Sequence, residues 1–272
     1  PPAAPTIGTV TAGNGSVSVA FTAPGATGGS SITGYTATCN PGGITGTGAS
    51  SPITVSGLTN GTAYTCSVTA TNAAGTSAAS SASSSVTPVA PATSYTFTGP
   101  TGGAIGSAST AFTVTPNSTY NGTITITPSG GGLSTPVVLT FSSSAAQTFT
   151  ITPVSVGPVT LTPTNNGSLT DASALNYATP PAAPTIGTVT AGNGSVSVAF
   201  TAPGATGGSS ITGYTATCNP GGHTGTGTSS PITVSGLTNG TAYTCSVTAT
   251  NAAGTSAASS ASSSVTPVAP AT

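Results

Sequence analysis

Neither lysine nor arginine occurs in this 272-residue chain, and its acidic and basic repertoire is one aspartate, Asp171, and one histidine, His223. Ordinary domains carry about a quarter charged residues. Phosphate backbones and anionic lipid surfaces are bound through Lys and Arg, so nucleic acid and charged membrane partners are not expected. Gly130-Gly131-Gly132 has no lysine or helix start beside it and reads as a turn, not a phosphate loop. A catalytic triad needs nucleophile, base and orienting group within hydrogen-bond reach. Asp171 and His223 lie in different segments, and a lone carboxylate is too little for calcium. No enzyme activity, cofactor or metal is expected. His223, just after Pro-Gly-Gly, reads as an exposed loop residue, and Asp171 as a turn or capping residue. Without lysine there can be no Lys–Asn isopeptide crosslink and no site for a trypsin-like protease. Almost nothing titrates between about pH 4 and 8, so salt and pH should barely alter stability.

Tryptophan and methionine are also missing. No apolar run approaches the roughly 18 residues of a membrane span, so membrane insertion is not expected. The chain opens with no initiator methionine or charged-then-apolar leader and reads as a mature or excised piece. What is present suffices for a core: 35% hydrophobic residues, with 38 glycines and 23 prolines that suit a turn-dense all-β protein. Disorder would require low hydrophobicity together with high net charge, and the charge is absent. Serine and threonine must supply nearly all the polar surface. Four cysteines in two equivalent pairs, Cys39, Cys66, Cys218 and Cys245, suit an oxidising compartment.

An internal repeat organises the chain. Residues 1–93 recur as residues 180–272, with Ile44 becoming His223 and Ala49 becoming Thr228. Between them, residues 94–179 are unrelated and lack cysteine. We therefore expect three domains, 1–91, 92–179 and 180–272. Prolines at 88, 91, 180, 181 and 184 make short, semi-rigid joints, and an array of such modules should be a rod. Val-Ala-Pro-Ala-Thr at 268–272 repeats the words before Ser94, so a fragment of a longer alternating array is expected.

Alternation of period two dominates the repeated module. Val17, Val19 and Phe21 share a face within 16–22, as do Tyr35, Ala37 and Cys39 within 32–39. Ile53 and Val55 follow in 52–55, then Tyr64, Cys66, Val68 and Ala70 in 63–71, and a serine and alanine stretch runs to Val86. The wording Pro-Thr-Ile-Gly-Thr-Val at 5–10, Ile-Thr-Gly-Tyr-Thr at 32–36 and Leu58-Thr-Asn-Gly-Thr-Ala-Tyr64 resembles bacterial fibronectin type III domains. The resemblance covers both copies. It implies a β-sandwich in which Tyr64 and Tyr243 tie a strand to the preceding turn as a tyrosine corner. It also makes the strands of Cys39 and Cys66 antiparallel neighbours, implying a disulfide and, in the repeat, one between Cys218 and Cys245. Such a bond closes a loop of about 27 residues and contributes about 3 kcal/mol. The alternatives are buried free thiols or a metal site, for which a third ligand is lacking. Phe21 and Phe200 stand where the family usually has tryptophan, and no Arg-Gly-Asp loop exists.

Within 94–179, strands are expected at 94–98, 111–115, 122–127, 136–141, 147–152, 158–162 and 174–178. Their inward pairs are Phe112 and Val114, Ile124 and Ile126, Val138 and Thr140, Phe149 and Ile151, and Val159 and Leu161. Phe-Thr-Val-Thr-Pro at 112–116 and the segment 161–171 resemble bacterial immunoglobulin-like surface repeats. Asn14, Asn60, Asn117, Asn121, Asn166, Asn193 and Asn239 fit the N-glycosylation pattern, although Asn-Gly is equally a hairpin turn signal. The expectation is three tandem β-sandwiches in a structural segment of a bacterial extracellular or cell-surface protein. It would act as a rigid spacer or filament block whose partners are copies of itself or neighbouring repeats. The alternative is an adhesin or carbohydrate-binding accessory repeat with glycan partners.

Overall fold

The computed structural model describes residues 1–270, in which every regular element is a β-strand. The first module contains β1 (Thr6–Gly13), β2 (Ser16–Thr22), β3 (Ile32–Asn40), β4 (Ile44–Gly48), β5 (Ile53–Ser56), β6 (Thr65–Asn72) and β7 (Gly75–Thr76). The middle segment contains β8 (Tyr95–Thr98), β9 (Phe112–Pro116), β10 (Gly122–Ser129), β11 (Val137–Phe141), β12 (Gln147–Phe149), β13 (Val159–Asn165) and β14 (Leu175–Tyr177). The second copy repeats the first as β15 (Thr185–Gly192), β16 (Ser195–Thr201), β17 (Ile211–Asn219), β18 (His223–Gly227), β19 (Ile232–Ser235), β20 (Thr244–Asn251) and β21 (Gly254–Thr255). All seven spans expected in the middle segment hold strands; β1, β4 and β7 were not read from the alternation. By contacts, the chain forms two compact units. One is residues 1–93 with 117–120 and 142–144, and the other is 94–116, 121–141 and the chain from 145 onward.

In the first module, sheets β1-β2-β5 and β4-β3-β6-β7 enclose Val17, Val19, Tyr35, Ala37, Val55, Tyr64, Val68 and Ala70, all buried. The inward set is the one the alternation gives, because side chains two residues apart share a face. Phe21 and Tyr35 join the sheets with ring centroids 4.7 Å apart. A Cβ on Gly46 would lie 2.4 Å from the Thr54 carbonyl oxygen, so the missing side chain lets β4 lie against β5 of the other sheet. The same relation recurs at Gly225 and Thr233, at 2.3 Å.

The outer edge of β6 is closed by the serine-rich stretch rather than by a regular strand. Ser77, Ser80 and Ser83 donate their N–H groups to the carbonyls of Ala70, Val68 and Cys66 at 2.8, 2.9 and 2.8 Å. Their hydroxyls accept the N–H groups of the same three residues at 2.9, 3.0 and 3.0 Å. Each hydroxyl proton goes to the next residue's carbonyl, at 2.7 to 2.8 Å. Val86 then pairs with Tyr64 in both directions, at 2.8 and 2.9 Å. Three residues of the edge therefore match two of the strand from Ala70 back to Tyr64, three times running. One residue per step bulges outward, as in a β-bulge, and a serine side chain reaches where the displaced backbone cannot. Ser256, Ser259 and Ser262 repeat the ladder on β20.

In the middle segment, sheets β12-β9-β8 and β11-β10-β13-β14 face each other across Phe112 and Tyr177, whose rings lie 5.9 Å apart. Phe149 stacks on Phe112 at 5.3 Å. One expected face is reversed: Leu139 and Phe141 point inward, whereas Val138 is 57% exposed and Thr140 is also outward. The run Val-Val-Leu is apolar on both parities, and pairing decides it. Ile124 lies opposite Leu139 and Ile126 opposite Val137, so the inward isoleucines carry those two with them.

Two predictions follow from this packing. Replacing Ser80 by Ala leaves the Val68 N–H without its acceptor and should cost about 1–3 kcal/mol in urea denaturation of the first module. Ser81→Ala, at an exposed bulged position, should stay within about 0.5 kcal/mol. Burial pushes the Tyr177 phenol above its usual pKa. Its contribution is thus full below about pH 10 and is lost as pH rises through the raised folded value. Amide exchange of β10 and β13 should accelerate over that range, and less so in Tyr177→Phe.

Candidate functional site

Cys39 and Cys66 lie opposite each other on β3 and β6 and are joined by a disulfide, as are Cys218 and Cys245 on β17 and β20. The Tyr64 hydroxyl accepts the Thr59 N–H at 3.0 Å, and that of Tyr243 accepts the Thr238 N–H at 3.1 Å. Each tyrosine is thereby held to the loop five residues before it. His223 departs from the reading as an exposed loop residue. It begins β18 opposite Cys218, is half-buried, and meets Tyr243 edge-on with ring centroids 5.9 Å apart. The reason is its twin, since Ile44 packs against the core of the first module and the imidazole takes the same seat. Asp171, in the turn after β13, accepts the Tyr95 hydroxyl at 2.8 Å and the Asn165 amide at 2.6 Å. The structure does not bring these polar residues into one constellation. Among the described residues, no three His, Cys, Asp or Glu side chains gather as metal ligands.

The polar arrangement that stands out is in the second unit, where the middle segment passes into the second module. As β14 ends, Ala178 pairs with Gly102, donating its N–H to Thr101 at 2.8 Å and accepting from Gly103 at 3.1 Å. Thr179 follows and is fully buried. Its N–H donates to the Gly207 carbonyl at 2.8 Å, and its carbonyl accepts the Asn251 side-chain amide at 2.9 Å. Its hydroxyl accepts the Gly157 N–H at 3.0 Å and donates to the Gly157 carbonyl at 3.2 Å. One threonine thus spends every polar atom, half on the middle segment and half on the second module.

Asn251, at the end of β20, completes the junction. Its amide also reaches the Thr206 carbonyl at 2.8 Å, and its side-chain oxygen accepts the N–H groups of Ala253 and Gly254 at 2.8 and 3.1 Å. Glycine is required where the two parts meet. Gly207 has φ +76° and a Cβ there would lie 2.0 Å from the Thr179 oxygen; at Gly208, φ +90°, it would lie 2.8 Å from Pro158. The shallow cleft beside the junction, lined by Thr101, Pro158, Tyr177, Gly208 and Ala253, carries no charged group. The arrangement ties the end of β14 to the second module through neutral hydrogen bonds. Sequence reasoning named neither Thr179 nor Asn251. The available signals were Thr-Gly-Gly at 206–208 and the Asn-Ala-Ala-Gly turn at 251–254, but nothing local says that they face Thr179.

Among solved structures, the chain is similar to the FN1–FN3 domains of chicken CNTN1, at 15% identity over 99% of both chains with a TM-score of 0.31. It is similar to a domain segment of titin at 15% identity, over 97% of this chain and 98% of that one, with a TM-score of 0.42. It is also similar to the twitchin kinase region of C. elegans at 23% identity, covering 32% of this chain and 17% of that one, with a TM-score of 0.30. No curated protein sequence matches the chain. The fibronectin type III domain family matches residues 2–87 and 180–266. On those two segments, with their paired sheets, the chain belongs to the fibronectin type III domain family.

Proposed function

We propose that the chain is a structural spacer: a segment of a repetitive extracellular protein, of bacterial cell-surface type, in which sandwiches at 1–91, 92–179 and 180–272 are strung into a stiff rod. The observation that carries this reading is Thr179, buried at a junction with all its polar atoms bonded. A hinge would leave such groups to water; a spacer that must hold direction would not. Fibronectin type III domains are typical of structural and adhesion-type modular proteins. Disulfides suit an oxidising exterior, and a surface without Lys or Arg withholds cleavage sites from trypsin-like proteases.

Between a spacer and a self-assembling filament block, the edges of the β4-β3-β6-β7 sheet favour the spacer. Near-zero net charge promotes association, but main-chain pairing needs an open edge. The β6 edge is taken by the serine ladder, and β4 is turned against β5. The tyrosine pair Tyr64 and Tyr243 then serves each sandwich as an internal brace at the corner, not as a ligand platform.

Small-angle scattering at neutral pH, at several concentrations, tests the reading. With strands of about 3.3 Å per residue, each module should measure roughly 35–40 Å and the particle on the order of 100 Å, independent of concentration. A compact particle, or one whose length distribution is that of freely hinged beads, would count against a stiff spacer. Growth with concentration would point to the filament block instead.

A further inference from the structure

Turns of each fibronectin type III module carry a chemical hazard that the fold covers. Asparagine is followed by glycine at Asn14, Asn60, Asn121, Asn166, Asn193 and Asn239. Glycine has no Cβ to shield its nitrogen from the carboxamide beside it, so such a pair is prone to close on itself. The glycine nitrogen gives its proton to a solvent base and attacks Cγ of the asparagine. A new N–Cγ bond forms, the Cγ–Nδ2 bond breaks, and the amide leaves as ammonia with a proton from water. One water then opens the succinimide at either carbonyl, leaving aspartate or isoaspartate. In a chain whose formal net charge is −1, each such event adds a carboxylate.

Asn14 and Gly15 make the two-residue turn between β1 and β2, with Gly13 opposite Ser16 and Gly15 at φ +57°, as hairpins of this kind prefer. Asn60, in the loop after β5, reaches both reacting groups. Its side-chain oxygen accepts the Gly15 N–H at 2.8 Å, and its amide donates to the Asn14 side-chain oxygen at 2.8 Å. The proton of the nucleophile is held, and so is the carboxamide it would attack. Asn60 is covered in turn, because the Gly61 N–H donates to the Pro88 carbonyl at 2.8 Å. The second copy repeats all three bonds: Gly194 to Asn239 at 2.8 Å, Asn239 to Asn193 at 2.8 Å and Gly240 to Pro267 at 2.9 Å. Asn14, Asn60, Asn193 and Asn239 are exposed, so water and solvent base reach them and burial is not what protects them.

We propose that Asn14 and Asn193 are latent deamidation sites, and that the side chains of Asn60 and Asn239 guard them by holding the Gly15 and Gly194 nitrogens. A bonded N–H must come free before it can be deprotonated, so the reaction waits on local opening of the clasp. The guard needs an acceptor and a donor at once. Asparagine supplies both without charge, whereas aspartate at position 60 could accept from Gly15 but not donate to Asn14. The inference concerns these turns alone and stands whether or not the whole chain is a stiff spacer.

The test is mass spectrometry of peptic peptides from the full chain after incubation at mildly alkaline pH, folded and in urea, reading the replacement of amide NH2 by OH at each asparagine. In the folded parent, Asn14 and Asn193 should react far more slowly than in urea; equal rates in the two states overturn the proposal without any variant. In folded Asn60→Ala, Asn14 should react on the order of tenfold faster than in the parent, the factor that one hydrogen bond carries. Asn193, under its own guard, should keep the parental rate in the same molecule. Ser80→Ala removes the acceptor of the Val68 N–H in the same module without touching the clasp, and should leave Asn14 near its parental rate. Asn60→Asp keeps an acceptor for Gly15 and should restore most of the protection. An Asn14 that stays slow in Asn60→Ala, that accelerates as much in Ser80→Ala, or that reacts as fast in Asn60→Asp as in Asn60→Ala overturns the proposal.

Discussion

A chain with no Lys or Arg and a single acidic residue has to close its edges and joints almost entirely with neutral hydrogen bonds, and the structure is organised around that constraint. A neutral bond contributes only about 0.5–1.5 kcal/mol net, whereas an unmet buried donor costs about 1–3 kcal/mol. Geometry must therefore supply what charge would otherwise forgive. The serine ladder is the clearest case. Each of Ser77, Ser80 and Ser83 accepts from one β6 residue, donates its own N–H to that residue and turns its hydroxyl proton to the following carbonyl. Many proteins protect an exposed sheet edge with lysine; here a bulged, hydroxyl-lined segment covers it. Among the described residues, no buried side-chain polar atom lacks a partner.

The same economy appears at the junction. Thr179 and Asn251 do between modules what Ser80 does along an edge, satisfying main-chain groups with short side chains that lose little rotamer freedom. Glycines at 207 and 208 allow the close approach this requires.

Much of the fold was legible because burial follows period two. Val17 to Phe21, Tyr35 to Cys39 and Tyr64 to Ala70 point inward as their alternation dictates. The reading slipped at β11, where Val137, Val138 and Leu139 are apolar in succession and only pairing with Ile124 and Ile126 fixes the face. It slipped at His223, where the preceding Pro-Gly-Gly suggested an exposed loop although the twin isoleucine marks a half-buried seat. The serine and alanine stretch up to Val86 was given no strand, and its serine period of three matches neither strand nor helix. The three-to-two match becomes visible only with β6 alongside. The junction was the least legible part, since Thr179 and Asn251 are far apart in sequence and neither type is diagnostic.

The most direct test of the account is native-state amide hydrogen exchange at Cys66, Val68 and Ala70, whose N–H groups face the serine hydroxyls. If neutral side chains close the edge, these amides should exchange only through global unfolding, as slowly as the β6 amides that face β3. Exchange through local fraying, much faster than at Thr65, Ser67 and Thr69, would show that the ladder is not what closes the sheet.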